Sequence, residues 1–430
     1  MKFYSLNRKS PKVTFTEALI SGLAPDGGLY FPELIPEFSA EEIRGLENNS
    51  LAEVGYKVLA KWLSNDEMKP DEMKEIISEA LNFPIPLKKV GDFFVLELFW
   101  GPTMTFKDIA ARTLALLMSH ILKKENRKAT ILVATSGDTG GAVASGFGGV
   151  PNIKVVVLYP KGKVSKLQEE QLTRVADNVF SIEVKGVFDD CQALVKKSFV
   201  DPDFRNLNLS SANSISVGRL IPQIIYYVYT YSMMIKENIE FVVPCGNFGN
   251  VCAGIFAKKM GLPFEKFLVV NNMNDPVLKY YQTGIFEPKT TVVQTLSTAM
   301  DIGNPSNFIR ILEVFGHDHA AFKKVVKVLK VTDQKTVETI KKVYKKYQYE
   351  LDPHTAVAWN GAEKDNDPGY LKVILSTASP LKFADVINQR AGIVIDDSEV
   401  IKELEKKAKR KITINNDYDE FKKTIISLPL

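Results

Sequence analysis

From ATILVAT onward the chain repeats one arrangement: a short apolar, β-rich run followed by a stretch with helical spacing. ILVAT at 131–135 precedes a small-residue helix from Gly140, and KVVVLYP precedes KLQEEQLTRVA. VFSIEV precedes DDCQALVKKSF, and FVVPCG precedes NVCAGIFAKKM. FLVVN leads into a mixed loop region, and LKVILST at 371–377 closes the series. Strands apolar on both faces need cover on both, so the repetition predicts an α/β fold with a largely parallel sheet between helices. Residues 1 to about 90 read instead as loops and short helices such as LAEVGYKVLAKWLS and DEMKEIISEALN. The alternation then occupies 91–400, and 401–430 reads as a polar, partly helical tail.

In open α/β sheets ligands bind beyond the carboxyl ends of strands, near helix N-termini. Three such junctions carry chemistry. In ATSGDTGG (134–141), Ser136, Gly137, Thr139 and Gly140 suit an anion held by backbone N–H groups. The same residues also suit a plain turn with Asp138 or Thr139 as N-cap. In PCGNFGN (244–250), two glycines and two asparagines before a helix suit a phosphate cradle. No Lys-Ser/Thr follows and the G-x-G-x-x-G spacing is absent, so a small monophosphate fits better than a nucleotide. In LSTASPLKF (375–383), Thr377 puts a hydroxyl at a strand end, and Ser379-Pro380 reads as a cap and first helical residue.

GPTMTFKDIAART (101–113) holds a misplaced lysine. With a helix starting near Thr105, Phe106, Ile109, Ala110, Thr113 and Leu117 share one face, and Asp108, Arg112, Ser119 and Lys123 mark the wet side. Lys107 belongs to neither set. Its own stripe runs through Ala111, Leu114 and Met118, and a first turn disfavours a cation. Either the lysine snorkels, or its amine is reactive as a Schiff-base former or proton carrier. A lysine amine, a monophosphate cradle and a strand-end hydroxyl together match pyridoxal phosphate.

The bulk numbers leave room for this and exclude other classes. Net charge is +4 over 430 residues, and acidic residues at helical spacing accompany most lysine clusters, including FKKVVKVLK and KELEKKAKRK. These read as solvated helix faces rather than a nucleic-acid groove. Cys191, Cys245 and Cys252 form neither a disulfide framework nor a zinc-like spacing, which fits a reducing cytoplasm. His317 and His319 in GHDHAA read as surface residues rather than metal ligands. His354 reads as packing at a turn before a helix, with an approach to the cofactor as the alternative. MKFYSLNRKS lacks the apolar core of a secretory signal. LIPQIIYYVYTYSMMI, with Pro222 and Gln223, is too short for a membrane span and reads as a buried helix.

The ordered set of segments resembles the threonine synthase family, in its longer bacterial and fungal branch, among the tryptophan-synthase-β-like (fold type II) pyridoxal-phosphate enzymes. The segments are GLAPDGGLYFP, GPTMTFKD, TSGDTGGAVA, SSANSISVGR, PCGNFGN, TLSTAMDIGNPSN, DPHTAVAW and STASPLKF. The resemblance implies two open, mainly parallel sheets flanked by helices after a mostly helical N-terminal region. It implies Lys107 as the cofactor lysine, and Gly246, Asn247, Phe248, Gly249 and Asn250 around the cofactor phosphate. Asp138 would face the ring's 3′ oxygen, where many relatives carry Asn, and Thr377 the pyridine nitrogen. Ser136, Thr139, Asn213, Ser214 and Arg219 would hold the phosphate of the substrate, O-phospho-L-homoserine, and the branch implies a monomer. The rivals are a fold type II serine or threonine dehydratase or cysteine synthase, which needs no second phosphate grip, and a non-catalytic phosphometabolite-binding protein.

Overall fold

The computed structural model describes residues 1–235, 237–365 and 367–430. The chain forms two compact units that alternate along the sequence. One contains 31–106 and 220–396; the other contains 2–30, 107–219 and 397–430.

The first unit is built on a six-stranded sheet. Its spatial order is Val326–Lys330, Lys266–Asn271, Ile239–Pro244, Leu371–Ser376, Phe93–Glu97, Leu87–Val90. All neighbours are parallel except the last pair, which is an antiparallel hairpin. The central strands are buried along both faces, as their unbroken apolar runs require. Helix Pro353–Lys364 covers one side, packing Val357 and Trp359 with Val242, Leu268 and Ile374. The edge strand Val326–Lys330 lies in the lysine-rich FKKVVKVLK, expected to be a helix face. Only its first part is helical, His319–Val325. The strand alternates buried Val326 and Val328 with exposed Lys327, a period of two where the helix reading assumed 3.6.

The second unit has a five-stranded, wholly parallel sheet. Its order is Ile412–Asn415, Val179–Lys185, Ile153–Pro160, Ala129–Ala134, Leu209–Ser210. The polar segment after 400 therefore supplies an edge strand, followed by helix Tyr418–Ser427, whose Phe421 and Ile425 join a core with Ile182 and Val184. At the start of the chain, Lys2–Ser5 pairs with Val13–Thr14. There Asp26 of the GLAPDGG motif accepts from Ser5 Oγ (2.6 Å) and from the Lys9 and Gly28 N–H groups (2.9 Å each). That motif builds a turn.

Candidate active site

Strand order in the first unit reverses between Ile239–Pro244 and Leu371–Ser376. The strand next in sequence, Lys266–Asn271, lies on one side of Ile239–Pro244, and the much later Leu371–Ser376 on the other. Such a switch point opens a crevice at the strand ends. Two of the three junctions leave from here, since Val242 pairs with Ile374 and both strands run on to PCGNFGN and Thr377.

Past Pro244 the chain turns sharply. Gly246 has no room for a side chain: a Cβ there would lie 2.6 Å from Met300 Cα and 3.0 Å from the Ala299 carbonyl oxygen. Phe248 takes a left-handed backbone (φ 60°), strained for a bulky residue, and is held by burial and by an edge contact with Phe308. It precedes helix Gly249–Lys259, whose start has no side-chain cap. Within its first turn the Val251 N–H faces the Cys245 thiol, which leaves the Gly249 and Asn250 N–H groups to meet an anion. Asn250 Oδ1 accepts from the hydroxyls of Tyr226 and Tyr227, each at 2.7 Å. Its Nδ2 is left as a buried donor without a hydrogen-bond partner among the described residues. A buried, unmet donor beside an uncapped helix start fits a phosphate group. Asn247 points elsewhere: its Oδ1 accepts from the Ser306 N–H (2.6 Å) and its carbonyl from Asn307 Nδ2 (3.2 Å).

Thr377, 6% exposed, follows Leu371–Ser376, and its carbonyl accepts the Phe106 N–H at 2.9 Å. The Ser379 N–H donates to the Met104 carbonyl (3.0 Å) and buried Lys382 Nζ to the Thr103 carbonyl (2.9 Å). Ser379 also caps Pro380–Phe383, as its Ser-Pro pair predicts. The stretch leading to Lys107 is therefore tied, residue by residue, along 377–382.

His354 is more than packing. Asp352 Oδ1 accepts from its Nδ1 at 2.7 Å, and its Nε2 accepts the Ala299 N–H at 3.2 Å. These partners suit Nδ1 as the ring's donor and Nε2 as its acceptor. Ala299 belongs to the turn against which Gly246 packs.

The second unit has its own switch point, where Ala129–Ala134 lies between Ile153–Pro160 and Leu209–Ser210. Lys107 is the first residue of helix Lys107–Lys124, two later than the expected start. The side chain is only 15% exposed and Nζ lies 3.6 Å from Asp138 Oδ2, so the lysine does not snorkel. Asp138 Oδ1 accepts from Gln168 Nε2 at 3.0 Å. That amide reaches Asp138 by lying where a Gly137 Cβ would be, and Gly137 has φ 136°. Neither Asp138 nor Thr139 is the N-cap. Thr135 Oγ1 instead accepts the N–H groups of Gly137 (3.0 Å) and Gly140 (2.8 Å), which removes both from anion binding. Ser136 is exposed and Thr139 half-buried.

Asp108, expected on the wet face, is fully buried. Burial pulls the Arg219 guanidinium down to about 10 while the Asp108 charge holds it up, so the two lie within electrostatic reach. Arg219 is 3% exposed, and its Nη1 donates to the Ala212 carbonyl at 2.7 Å. It thus secures the Ala212–Asn213–Ser214 turn. Asn213 Oδ1 is a buried acceptor without a hydrogen-bond partner among the described residues, and Ser214 is half-buried.

Gln168, Thr135 and Asp352 were not expected here. Ser165 and Gln168 form a capping box, a legible signal, but nothing local marks the second bond from Gln168 to Asp138. Of the other histidines discussed above, His317 is exposed beside Glu313, and His319 Nε2 contacts the Tyr281 carbonyl (3.0 Å). The three cysteines are buried and free. Among the described residues no helix is long and apolar enough to cross a membrane, and LIPQIIYYVYTYSMMI yields the largely buried helix Ile224–Met233.

Comparison with known proteins identifies the family. Family models described as "Threonine synthase N terminus", "Pyridoxal-phosphate dependent enzyme" and "Threonine synthase, C-terminal" match residues 2–81, 82–373 and 355–425. A threonine synthase of Escherichia coli is 38% identical over 401 residues, covering 92% of each chain. One from Saccharomyces cerevisiae is 35% identical over 453 residues, covering 90% of this chain and 88% of its own. The crystal structure of a PLP-bound threonine synthase from Brucella melitensis superposes with a TM-score of 0.92 at 35% identity, covering 99% of this chain and 98% of that one.

Proposed function

The chain belongs to the threonine synthase family of pyridoxal-phosphate-dependent lyases, and we propose from that premise how its own residues divide the work. The reaction we assign is O-phospho-L-homoserine plus water giving L-threonine and phosphate, the last step of threonine biosynthesis. Phosphate leaves Cγ with its bonding electron pair, and water adds at Cβ. When bound, pyridoxal phosphate supplies a conjugated electron sink for the negative charge that develops on the substrate carbons.

The other tasks fall to side chains. Lys107 Nζ is the amine that would hold the cofactor by its aldehyde, and as a free amine it would carry protons among Cα, Cβ and Cγ. Its setting supports this: a side chain mostly out of water, on an apolar stripe, beside one carboxylate. Gly246, Asn247, Phe248, Gly249 and Asn250 form the phosphate cradle, with Asn250 Nδ2 and the uncapped helix start as donors. Asn247 acts by fixing the turn to Ser306 and Asn307. Thr377 would meet the ring nitrogen with a hydroxyl, leaving it neutral where a carboxylate would favour a charged one, and Asp138, steadied by Gln168, would face the ring's 3′ oxygen. Asn213 and Ser214 bind the substrate phosphate with Ser136 and Thr139. Arg219 supplies positive charge to that turn from its buried position. The three buried thiols support a cytoplasmic setting, and we take the working form to be a monomer.

The observation that carries the proposal is Lys107 Nζ facing Asp138 from an apolar stripe. The test is phosphate release by the cofactor-loaded protein from O-phosphohomoserine, with O-phosphoserine for comparison. Release from the first alone, with threonine appearing in step, is the expected result. Release from neither, by a protein that binds the cofactor, would withdraw the substrate assignment.

A further inference from the structure

Arg310 is among the largest fully buried side chains, at 0% exposure. An arginine keeps its charge under all ordinary conditions, and burying that charge is costly. A fold that does so uses the group for something. Its bonds lead to the glycine turn. Nη1 donates to Asn307 Oδ1 at 2.6 Å, and Asn307 Nδ2 donates to the Asn247 carbonyl at 3.2 Å. The Asn307 N–H donates to that same carbonyl at 3.3 Å, and the Ser306 N–H to Asn247 Oδ1 at 2.6 Å. Asn247 is thus held by main chain and side chain alike, from a segment anchored on the guanidinium. Arg310 also feels Cys252, on the helix that follows the turn. Burial pushes that thiol up to about 12, so it is neutral. The cation thus lies within electrostatic reach of Cys252 in the first turn and a half of helix Gly249–Lys259, whose dipole already favours an anion at its start.

We infer that Arg310 is a positioning residue for the cofactor phosphate, acting through Asn307 on Asn247 and adding buried positive charge behind the cradle. The inference rests on the pyridoxal-phosphate reading above. It concerns a residue outside every junction the sequence marks as functional. It also explains why Asn247 turns its oxygens away from the cradle: they receive the bonds that set the turn's shape.

The test compares two ligands of the apoprotein, pyridoxal phosphate and pyridoxal, which lacks the phosphate. Affinities are read from absorbance titrations, with thermal midpoints recorded for each variant. Arg310→Met should weaken pyridoxal phosphate by about tenfold or more, the loss expected for a charge-assisted bond, and leave pyridoxal within about twofold. Arg310→Lys should fall between, and Asn307→Ala, which cuts the connection, should repeat the selective loss. A purely structural role would lower both ligands together with the midpoint, or neither, and would overturn the inference. If Arg310→Met does not fold, Arg310→Lys and Asn307→Ala decide on the same ratio. Failure of the unsubstituted protein to bind pyridoxal phosphate would instead defeat the cofactor reading itself.

Discussion

Replacing Gly246 by alanine adds one methyl group where the geometry leaves none. The new Cβ would stand 2.6 Å from Met300 Cα, 3.0 Å from the Ala299 carbonyl oxygen and 3.1 Å from the Met300 carbonyl carbon. These are backbone atoms, so no rotamer change relieves the clash. Nor can the opposing turn drift easily. The Ala299 N–H is bound to His354 Nε2, His354 to Asp352, and the Met300 N–H to the Ser297 carbonyl (2.9 Å). Restoring ordinary contact needs a shift of about 1 Å, and such overpacking costs about 1–3 kcal/mol. If the loop carrying Asn247–Asn250 moves, cofactor affinity falls by about 5- to 150-fold. The assay is titration of apoprotein with pyridoxal phosphate, with unfolding followed in parallel to show whether the cost falls on the cradle or the fold. Gly141→Ala is the control: its Cβ would meet nothing closer than Gln171 at 3.7 Å, inside a helix that welcomes alanine. Gly246→Ala with both affinity and stability unchanged would refute the reasoning.

Two further perturbations probe the scaffold. Burial, then the neighbouring Asp365, raise the Glu240 carboxyl to about 8, from an ordinary 4.5. The folded state therefore holds a proton that the unfolded chain releases. This group's contribution is complete below about pH 4.3 and is lost as pH rises through 8. Glu240→Gln should flatten that fall in urea midpoints measured across the range, and an unchanged slope would place the titration elsewhere. Asp352→Ala removes the acceptor for the His354 N–H, His354 Nδ1 and Thr355 Oγ1, and with it the cap of helix Pro353–Lys364. Urea unfolding should show a loss of about 2–4 kcal/mol, and a loss below 1 kcal/mol would mean that water replaces these bonds.

The strands buried on both faces were legible because burial leaves an unbroken apolar run, and Lys107 stood out because its own stripe is apolar. The features that escaped depend on partners distant in sequence. Asp108 has the spacing of a solvent residue, yet it is buried within electrostatic reach of Arg219, over a hundred residues away. Val326–Lys330 hides among lysines because an edge strand can turn alternate residues to water, where Lys327 pairs with Asp365. Thr135 looked like the end of a strand, while two of its neighbours had the composition of a cap. Arg310 lies in FIRILEV, where nothing separates a buried arginine from a surface one. How the strands divide into two sheets could not be read from the alternation, and came from the family resemblance.

The interleaving of the two units along the chain bears on how the protein is made. A ribosome delivers residues in order, yet residues 107–219 remain without their edge strand until Ile412–Asn415 has emerged. During that interval Val179–Lys185 presents a bare edge of unpaired N–H and C=O groups, open to any other extended chain. The other unit, by contrast, has all six strands once Leu371–Ser376 is synthesised. The portion begun first is thus completed last, and the nascent chain is exposed to mispairing through nearly half of its synthesis.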